Sequence, residues 1–386
     1  MSDTRPSSSA RVGMVGGGQL ARMTHQAALD LDVELVVLAL SDDDPAVKAG
    51  ARAMFGSPGS AEALRRLARA VEVVTFDHEL IPADLAVELA EAGFRVRPRG
   101  EALLMAQDKL AARQEFHRAG LPVPRFAPLG PDAEREIAAF ASEQGWPVVV
   151  KARRGGYDGR GVEIVAGPEH LGPALARLGG AELLVEAHVE VQQELALVGA
   201  RSPGGRWVSY PPVGTLQRDG ICRELVMPAT VGGAVAARAE QIARSIADDI
   251  DAVGIIAVEM FLTPDDQLII NEIALRPHNS GHATIEAAAT SQFHNHLRAV
   301  LDWPLGDTSL RAPAAAMVNI LGPRDGTDPR RRLADALTVP GASIHLYGKS
   351  PAPGRKLGHV TALGSTTEEA LHTARLCAEL LTGETY

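Results

Sequence analysis

Strand-like and helix-like segments alternate over residues 11–98, and no other feature of the sequence limits the fold as strongly. The runs RVGMV, VELVVLAL and VEVVTF are short and apolar, and a helix-like segment follows each of them. Strands that alternate with helices form a parallel sheet with helices on both faces. We therefore predict an N-terminal parallel α/β domain over residues 11–105. The polar residues 1–10 are expected to form a disordered tail.

The pattern changes after this domain. The segment EALLMAQDKLAARQEFHRAG, residues 101–120, is predicted to be one helix that leads into the next unit. Residues 192–276 are typical of several antiparallel strands around one helix, and a long helix is predicted over residues 283–301. Short strands and a closing helix follow. The predicted fold class is α/β and α+β.

Composition excludes several classes of protein. The 386 residues carry a formal net charge of −10, which disfavours a nucleic-acid partner. The two cysteines, Cys222 and Cys377, are far apart and fit neither a disulfide framework nor a zinc motif. No apolar run is long enough to span a bilayer. We expect a cytoplasmic protein that binds neither nucleic acid nor membranes.

A glycine-rich turn, GGGQLA at residues 16–21, follows the first strand and opens the first helix. Its GxGxxA spacing is that of a dinucleotide-binding turn, in which backbone N–H groups face an anion. Asp42 and Asp44 end the second strand, about where a ribose-binding acid would lie. The spacing leaves open a nicotinamide dinucleotide, the phosphate of another ligand and a purely structural turn.

A second glycine motif, YGKS at residues 347–350, is similar to the end of a Walker A loop. That loop needs a glycine where this chain has Ser343, and a helix after the motif, which PAPGRKLGH does not favour. We therefore reject a Walker A site. Lys349, Arg355 and Lys356 remain as a local basic cluster that this motif does not explain.

The stretch KARRGGYDGRG, residues 151–161, contains four glycines and four cations directly after the apolar run VVV. A plain hairpin turn needs one or two glycines. A longer glycine loop between two antiparallel strands can place its N–H groups on the phosphates of a nucleotide, and Lys151 would lie beside them. The sequence therefore predicts a phosphate-binding flap.

Two strand-like runs, IIAVEMFLT and LIINEI, flank the turn PDDQ at residues 264–267. If the hairpin is symmetric about this turn, Glu259 lies opposite Glu272. Opposed like charges destabilise a sheet, particularly among apolar neighbours. A cation between them relieves the repulsion, and two carboxylates beside phosphates suit Mg²⁺. A solvated edge hairpin is the alternative. Asn271 faces the other way in this register unless the strand contains a bulge.

These features resemble the ATP-grasp superfamily, and within it the 5-(carboxyamino)imidazole ribonucleotide synthetases, the ATPase subunits of phosphoribosylaminoimidazole carboxylase. The resemblance covers nearly the whole chain after the tail. It depends on GGGQLARM, TFDHE, AQDKL, KARRGGYDGRG, QRDGIC, NEIALRPHNSGH, TSQF, HLRAVL and PGRKLGHV, in the family's order. It implies an ATP-grasp domain over residues 106–306 with a mobile lid at about residues 122–190, and a small C-terminal domain over residues 307–386.

The resemblance also implies a reaction, in which ATP and bicarbonate carboxylate 5-aminoimidazole ribonucleotide through carboxyphosphate. It implies a magnesium-dependent homodimer of purine biosynthesis, with Glu259 and Glu272 as metal ligands. The positions carried over for the nucleotide are Lys109, Lys151, Gly156, Tyr157, Asp158, Gly159, Arg160, Gly161, Val162, Glu186, Ala187, His188, Val189, Glu194, Gln217, Asn271 and Glu272. Those for the ribonucleotide are Gly18, Gln19, Glu79, Tyr157, Asp158, Arg160, Arg276, His278, Asn279, Lys349, Arg355 and Lys356. Catalytic roles fall on Asp158, Arg160, Arg276 and Lys349.

Asp158 is an acid in a loop otherwise rich in cations, so phosphate binding does not explain it. We expect it to hold the substrate amine and to accept its proton, with a turn-stabilising residue as the alternative. His282 is expected to have a structural or substrate role, and His294 and His296 are expected at the surface of a helix.

Four positions depart from the family pattern, namely Ala283, Ala352, Leu80 and Gly214. They weaken the assignment of ribonucleotide contacts more than that of ATP. The nearest alternative is a formate-dependent glycinamide ribonucleotide transformylase of the same superfamily. A nicotinamide-dependent oxidoreductase is the alternative from another class, but it gives the facing glutamates no purpose.

Overall fold

The N-terminal domain contains the predicted parallel sheet. The computed structural model describes residues 9–156, 159–218 and 220–385. The elements of this part are β1 (Arg11–Val15), α1 (Gln19–Asp30), β2 (Glu34–Ala39), α2 (Pro45–Lys48), β3 (Arg52–Phe55), α3 (Ala61–Ala70), β4 (Val73–Phe76) and α4 (Ala83–Glu91). The sheet order is β3-β2-β1-β4, and neighbouring strands run parallel. The edge strand β3 escapes prediction because its four residues are all exposed or half-buried.

The single helix predicted over residues 101–120 is wrong. Two helices, α5 (Gly100–Gln107) and α6 (Lys109–Arg118), meet at Asp108, whose backbone is extended. The Asp108 carboxylate accepts hydrogen bonds from the N–H groups of Leu110 and Ala111 and so caps α6. The spacing of apolar residues does not reveal this break, because it is typical of a helix on both sides of Asp108.

A separate antiparallel sheet forms the segment that we call the lid sheet. Its elements are β5 (Phe126–Pro128), α7 (Ala133–Gln144), β6 (Val148–Ala152), β7 (Val162–Val165), α8 (Leu171–Leu178) and β8 (Leu183–Ala187), with a 3₁₀ turn at Pro168–His170. The strand order is β5-β8-β6-β7. Ile137, Val148, Val150 and Val185 lie in its own apolar core. The lid sheet and its helices therefore have a hydrophobic core of their own.

The largest sheet contains the remaining strands. Its part of the chain consists of β9 (Gln193–Arg201), β10 (Trp207–Ser209), β11 (Val213–Arg218), β12 (Ile221–Met227), α9 (Gly233–Asp249), β13 (Gly254–Leu262), β14 (Leu268–Ala274), α10 (Thr284–Ala287), α11 (Gln292–Val300), β15 (Ala314–Leu321), α12 (Leu333–Ala336), β16 (Ala342–Leu346), β17 (Lys356–Gly364) and α13 (Thr367–Thr382), with 3₁₀ turns at Asn279–Gly281 and Pro329–Arg332. The order is β14-β13-β9-β11-β12-β15-β17-β16, and β10 pairs with β9. Helix α9 packs Ile242 and Ile246 against this sheet.

The C-terminal strands continue this sheet rather than forming one of their own. β12 pairs antiparallel with β15, with Leu225 opposite Met317 and Met227 opposite Ala315. Strand β15 is buried along its whole length. The ladder therefore passes without interruption from β12 into the C-terminal segment.

The long helix predicted over residues 283–301 is also wrong. Ala288 leaves the helical conformation to bridge Leu310, and Ser291 then caps α11 by accepting from the His294 N–H. His296 is fully buried rather than at the surface. Its Nδ1 accepts from the Ile255 N–H at 3.2 Å, and its Nε2 lies 2.9 Å from Thr75 Oγ1. This side chain therefore links the large sheet to β4.

Among the described helices, none combines the length and the apolar character that crossing a membrane requires.

Candidate active site

The two glutamates predicted to face each other do so. Glu259 on β13 is the register partner of Glu272 on β14. Nearer the turn the partners are Met260 and Ile270, so Asn271 is an extra residue that forms a β-bulge in β14. The bulge lets Asn271 and Glu272 both contribute side chains to this side of the sheet.

Glu259 lacks a sufficient countercharge. Burial, together with the neighbouring carboxylates of Glu272 and Glu194, raises its pKa to about 8. Lys109 Nζ lies 3.4 Å from Glu272 Oε2 and offsets part of the charge on that residue. The pair therefore retains a proton at neutral pH that a bound cation could replace.

This arrangement fits a divalent cation that is shared with a nucleotide. The described residues contain no group of three or more His, Cys, Asp and Glu side chains suited to hold a metal ion. Mg²⁺ is commonly bound by one or two carboxylates together with phosphate oxygens and water. Glu259 and Glu272 would supply the two carboxylates, and the remaining ligands would come with the nucleotide.

His278 approaches Glu259 from the segment after β14. Its Nε2 lies 3.7 Å from Glu259 Oε1. Burial lowers the pKa of His278 to about 3, and the positive charges of Arg276 and Lys356 lower that pKa as well. His278 is therefore a neutral imidazole beside the glutamate.

A buried ion network joins the lid sheet to helix α6 and the large sheet. Lys151 Nζ lies 2.8 Å from one oxygen of Glu186, and Arg113 Nε lies 2.6 Å from the other. Arg113 also donates to the Asn271 carbonyl at 2.6 Å, and Lys151 donates to Asn271 Oδ1 at 3.2 Å. Burial alone would raise the pKa of Glu186, but Arg113 and Lys151 outweigh it and lower that pKa. The Glu186 carboxylate therefore stays charged inside the protein.

Arg113 and Asp108 escape prediction from the sequence although they organise this region. Asp108 receives Arg153 Nη2 at 2.7 Å and Arg154 Nε at 3.1 Å. Two of the flap's cations thus neutralise a buried acid instead of projecting toward a ligand. The sequence feature that could have indicated Arg113 is its spacing from Lys109, which places the two cations one turn apart on the same helix.

The predicted flap connects the antiparallel strands β6 and β7, with Lys151 opposite Val162 where the loop begins and ends. Gly155, Gly159 and Gly161 have φ values of 76°, 76° and 73°, which other residues rarely adopt. A side chain at Gly156 would meet the Arg160 carbonyl oxygen at 2.7 Å. The glycines therefore meet a geometric need of the loop. Tyr157 and Asp158 lie outside the described residues.

The other nucleotide positions lie at the end of β8 and on two neighbouring strands of the large sheet. Ala187 ends β8, and His188 and Val189 follow it. Glu194 on β9 accepts a hydrogen bond from Gln217 on β11, and burial raises the pKa of Glu194. A cleft of about 420 Å³ is lined by both of these side chains. Their role toward a nucleotide stays a prediction.

The ribonucleotide positions come together from three parts of the chain. Arg276 Nε lies 2.6 Å from Glu79 of the N-terminal domain. Burial alone would lower the pKa of Arg276, but the Glu79 carboxylate outweighs it and raises that pKa. Lys349, after β16, donates to Gln19 Oε1 at 2.6 Å. Asn279 donates a hydrogen bond to Asn319, and Arg355 donates one to the Ser350 carbonyl. Lys356 is the first residue of β17.

The glycine turn at the start of α1 already has an anionic partner. The buried Asp77 carboxylate accepts from the N–H groups of Gly18 and Ala21. A side chain at Gly18 would meet Asp77 Oδ2 at 2.5 Å. Asp77 already occupies N–H groups that a diphosphate at this helix terminus would need, so the dinucleotide interpretation of GxGxxA is not supported.

Taken with these contacts, the lid sheet, the facing glutamates and the buried lysine define an ATP-grasp protein. The ATP-grasp domain family matches residues 114–293. The ribonucleotide synthetase preATP-grasp domain matches residues 9–107, and the phosphoribosylaminoimidazole carboxylase C-terminal domain matches residues 315–373. The chain belongs to the N5-carboxyaminoimidazole ribonucleotide synthase family.

Two similar proteins, one of them seen in two crystal structures, support this assignment. The N5-carboxyaminoimidazole ribonucleotide synthase of Mycobacterium tuberculosis is 46% identical over 380 residues, which cover 96% of this chain and 87% of that protein. The crystal structure of the Aspergillus clavatus synthase complexed with ATP has a TM-score of 0.90 and 34% identity, covering 97% of this chain and 98% of that one. The same synthase in complex with ADP and 5-aminoimidazole ribonucleotide has a TM-score of 0.89 and 34% identity, covering 98% and 100%. These likenesses favour the carboxylating family over the formate-dependent alternative.

Proposed function

We propose that this protein is an ADP-forming ligase that carboxylates 5-aminoimidazole ribonucleotide at the expense of ATP, giving N5-carboxyaminoimidazole ribonucleotide in purine biosynthesis. The observation that supports it most strongly is the 3.7 Å contact between His278 and Glu259. Residues expected to bind the ribonucleotide and residues expected to bind the γ-phosphate end of ATP meet at this point. The two substrates would therefore react there.

In the proposed reaction, a bicarbonate oxygen attacks the γ-phosphorus and ADP leaves, which gives carboxyphosphate. The exocyclic amine of the ribonucleotide then attacks the carbonyl carbon of carboxyphosphate, and inorganic phosphate and a proton leave. Alternatively, carboxyphosphate first breaks down to CO₂ and inorganic phosphate, and the amine attacks the CO₂ and loses a proton. Both steps need orientation and charge neutralisation more than covalent catalysis. Mg²⁺ held by Glu259 and Glu272 would neutralise phosphate charge.

The protein's own residues would divide these tasks. Arg160 would stabilise the phosphate charge that develops during attack, and Asp158 would hold the amine and accept its proton. Arg276 is oriented by Glu79, so its guanidinium is fixed before substrate binds. Lys349 and Arg355 would contact the monophosphate of the ribonucleotide.

The family resemblance supports a cytoplasmic homodimer, which sedimentation of the purified chain would test.

The activity is tested by following ADP release and the incorporation of radiolabelled bicarbonate. We expect labelled product only when ATP, bicarbonate and 5-aminoimidazole ribonucleotide are all present, together with ribonucleotide-stimulated ADP release. ADP release that is unaffected by the ribonucleotide, with no labelled product, would contradict the proposal. Activity with formate and glycinamide ribonucleotide instead would identify the alternative enzyme.

A further inference from the structure

Gln292, the first residue of α11, makes three side-chain hydrogen bonds to one short segment. It is fully buried. Its Oε1 accepts from the His278 N–H at 2.9 Å, and its Nε2 donates to the His278 carbonyl at 2.8 Å. The same Nε2 lies 3.1 Å from His282 Nδ1. One carboxamide therefore satisfies both backbone polar groups of His278, as a neighbouring strand would do.

The segment that Gln292 holds carries the candidate ribonucleotide contacts but belongs to no sheet. Strand β14 ends at Ala274, and His278 has an extended backbone, with φ −122° and ψ 154°. Buried backbone groups outside regular structure need partners from elsewhere. Gln292 supplies a partner for each group, and the His278 carbonyl also accepts from the Gly281 N–H at 3.0 Å. The His278 N–H has Gln292 as its partner, so we expect the position of His278 to depend on this side chain.

The other end of the segment is fixed by the same helix start. The Gln292 N–H donates to Thr284 Oγ1 at 2.9 Å, and that hydroxyl donates to the Gly281 carbonyl at 2.5 Å. Burial lowers the pKa of His282 well below its ordinary value, so its Nδ1 is a neutral acceptor for the amide. The amide orientation is therefore defined by all of its partners.

Gly281 gives independent evidence for close fit around the carboxamide. A Cβ placed on Gly281 would lie 2.4 Å from Gln292 Oε1 and 2.5 Å from its Cδ. Gly281 is not among the described glycines with positive φ, so backbone conformation does not require glycine here. What requires it is the space occupied by the Gln292 amide.

We propose that Gln292 is a positioning residue for ribonucleotide binding. It acts through His278, and through it sets the place of Arg276 and Asn279 relative to Glu259. Its hydrogen bonds go to His278 and His282, and it reaches Glu259 only through His278, so we expect its main influence on the ribonucleotide. This inference rests on the function proposed above.

The test replaces Gln292 with methionine, which has similar length and none of the three hydrogen bonds. We expect the KM for 5-aminoimidazole ribonucleotide to rise about tenfold or more, while the KM for ATP stays within about twofold. In Gly281→Ala the added methyl group would displace the Gln292 amide. We expect this variant also to raise the KM for the ribonucleotide and to leave the KM for ATP within about twofold. This second variant decides the matter if Gln292→Met does not fold.

Asn295→Leu is the matched control on the same helix. Asn295 is also fully buried, and its side chain accepts from the Gly306 N–H and donates to Tyr210, away from the candidate site. We expect it to lower thermal stability without changing the ratio of the two KM values.

The outcomes separate this inference from the proposed activity. Wild-type carboxylation with an unchanged ribonucleotide KM in the folded Gln292→Met and Gly281→Ala variants would overturn the inference alone, as would an equal rise of both KM values. Absence of wild-type carboxylation would remove the proposed function and this inference with it.

Discussion

Lys151 of the lid sheet and Asn271 of the large sheet are joined by a hydrogen bond of 3.2 Å. The contact is possible because the bulge in β14 turns Asn271 toward the site and because Lys151 is the penultimate residue of β6, beside the loop that leads to β7. The same ammonium is paired with Glu186. A phosphate that binds Lys151 must therefore share it with two existing partners, which links nucleotide binding to the position of the lid.

Replacing Glu272 by glutamine should weaken Mg·ATP-dependent turnover about tenfold or more, because one of the two proposed metal ligands loses its charge. The stability of the metal-free protein should be unchanged or improved, since the repulsion with Glu259 disappears. Initial rates at limiting magnesium measure the first effect and thermal unfolding the second. Asp266→Asn, in the exposed turn of the same hairpin, is the control. Equal activity of the Glu272 variant and wild type would contradict a shared metal.

Glu259 should make the metal-free protein less stable as pH rises. Its pKa is raised by burial to about 8 in the folded protein, so the folded state holds a proton that the unfolded chain releases above its ordinary value of 4.5. Stability from this group is therefore present at low pH and lost as pH rises toward 8. The melting temperature of Glu259→Gln minus that of wild type should grow between about pH 5 and about pH 8 and level off above that range. A difference that stays constant over this range would contradict the assignment.

Arg113→Leu should destabilise the protein by about 3 kcal/mol, because it leaves a buried carboxylate with one cation in place of two. Denaturant unfolding measures this loss. Adding Glu186→Gln should recover part of the loss, since the charge that needed Arg113 is then absent. Arg118→Leu, at an exposed position of the same helix, should change stability little. Additive losses in the double variant would show that the two side chains are not coupled.

Arg355→Ala should raise the KM for the ribonucleotide and leave the KM for ATP nearly unchanged, because a guanidinium near Lys349 suits a monophosphate. Steady-state kinetics with each substrate varied separately measures the two constants. Arg331→Ala, an exposed arginine of the same C-terminal segment, provides the control. If the ATP value rises and the ribonucleotide value does not, the basic cluster serves the nucleotide.

Local patterns were sufficient to predict some of this structure. Alternating segments predict the parallel sheet, and the glutamates in two apolar runs predict the pair Glu259 and Glu272. The sequence pattern does not determine whether Asn271 forms a bulge, and its contacts with Lys151 and Arg113 come from distant parts of the chain.

The errors share a physical cause. The breaks at Asp108 and Ser291 occur in segments whose periodicity is helical, and capping hydrogen bonds and tertiary contacts outweigh that preference. His296 is a polar residue on a helix, so the sequence favours exposure, but it is hydrogen-bonded to Ile255 and Thr75 in distant strands. Such partners become visible only when the fold brings them together.

Because β12 pairs with β15, the second and third domains share one continuous sheet. A fragment that stops before β15 would leave the buried edge of β12, with Leu225 and Met227 beside it, open to any other strand. Such a fragment should aggregate rather than fold as a smaller ATP-binding protein. We therefore expect the smallest unit that folds to include the strands proposed to carry the ribonucleotide contacts, so that truncation would not separate nucleotide binding from substrate recognition.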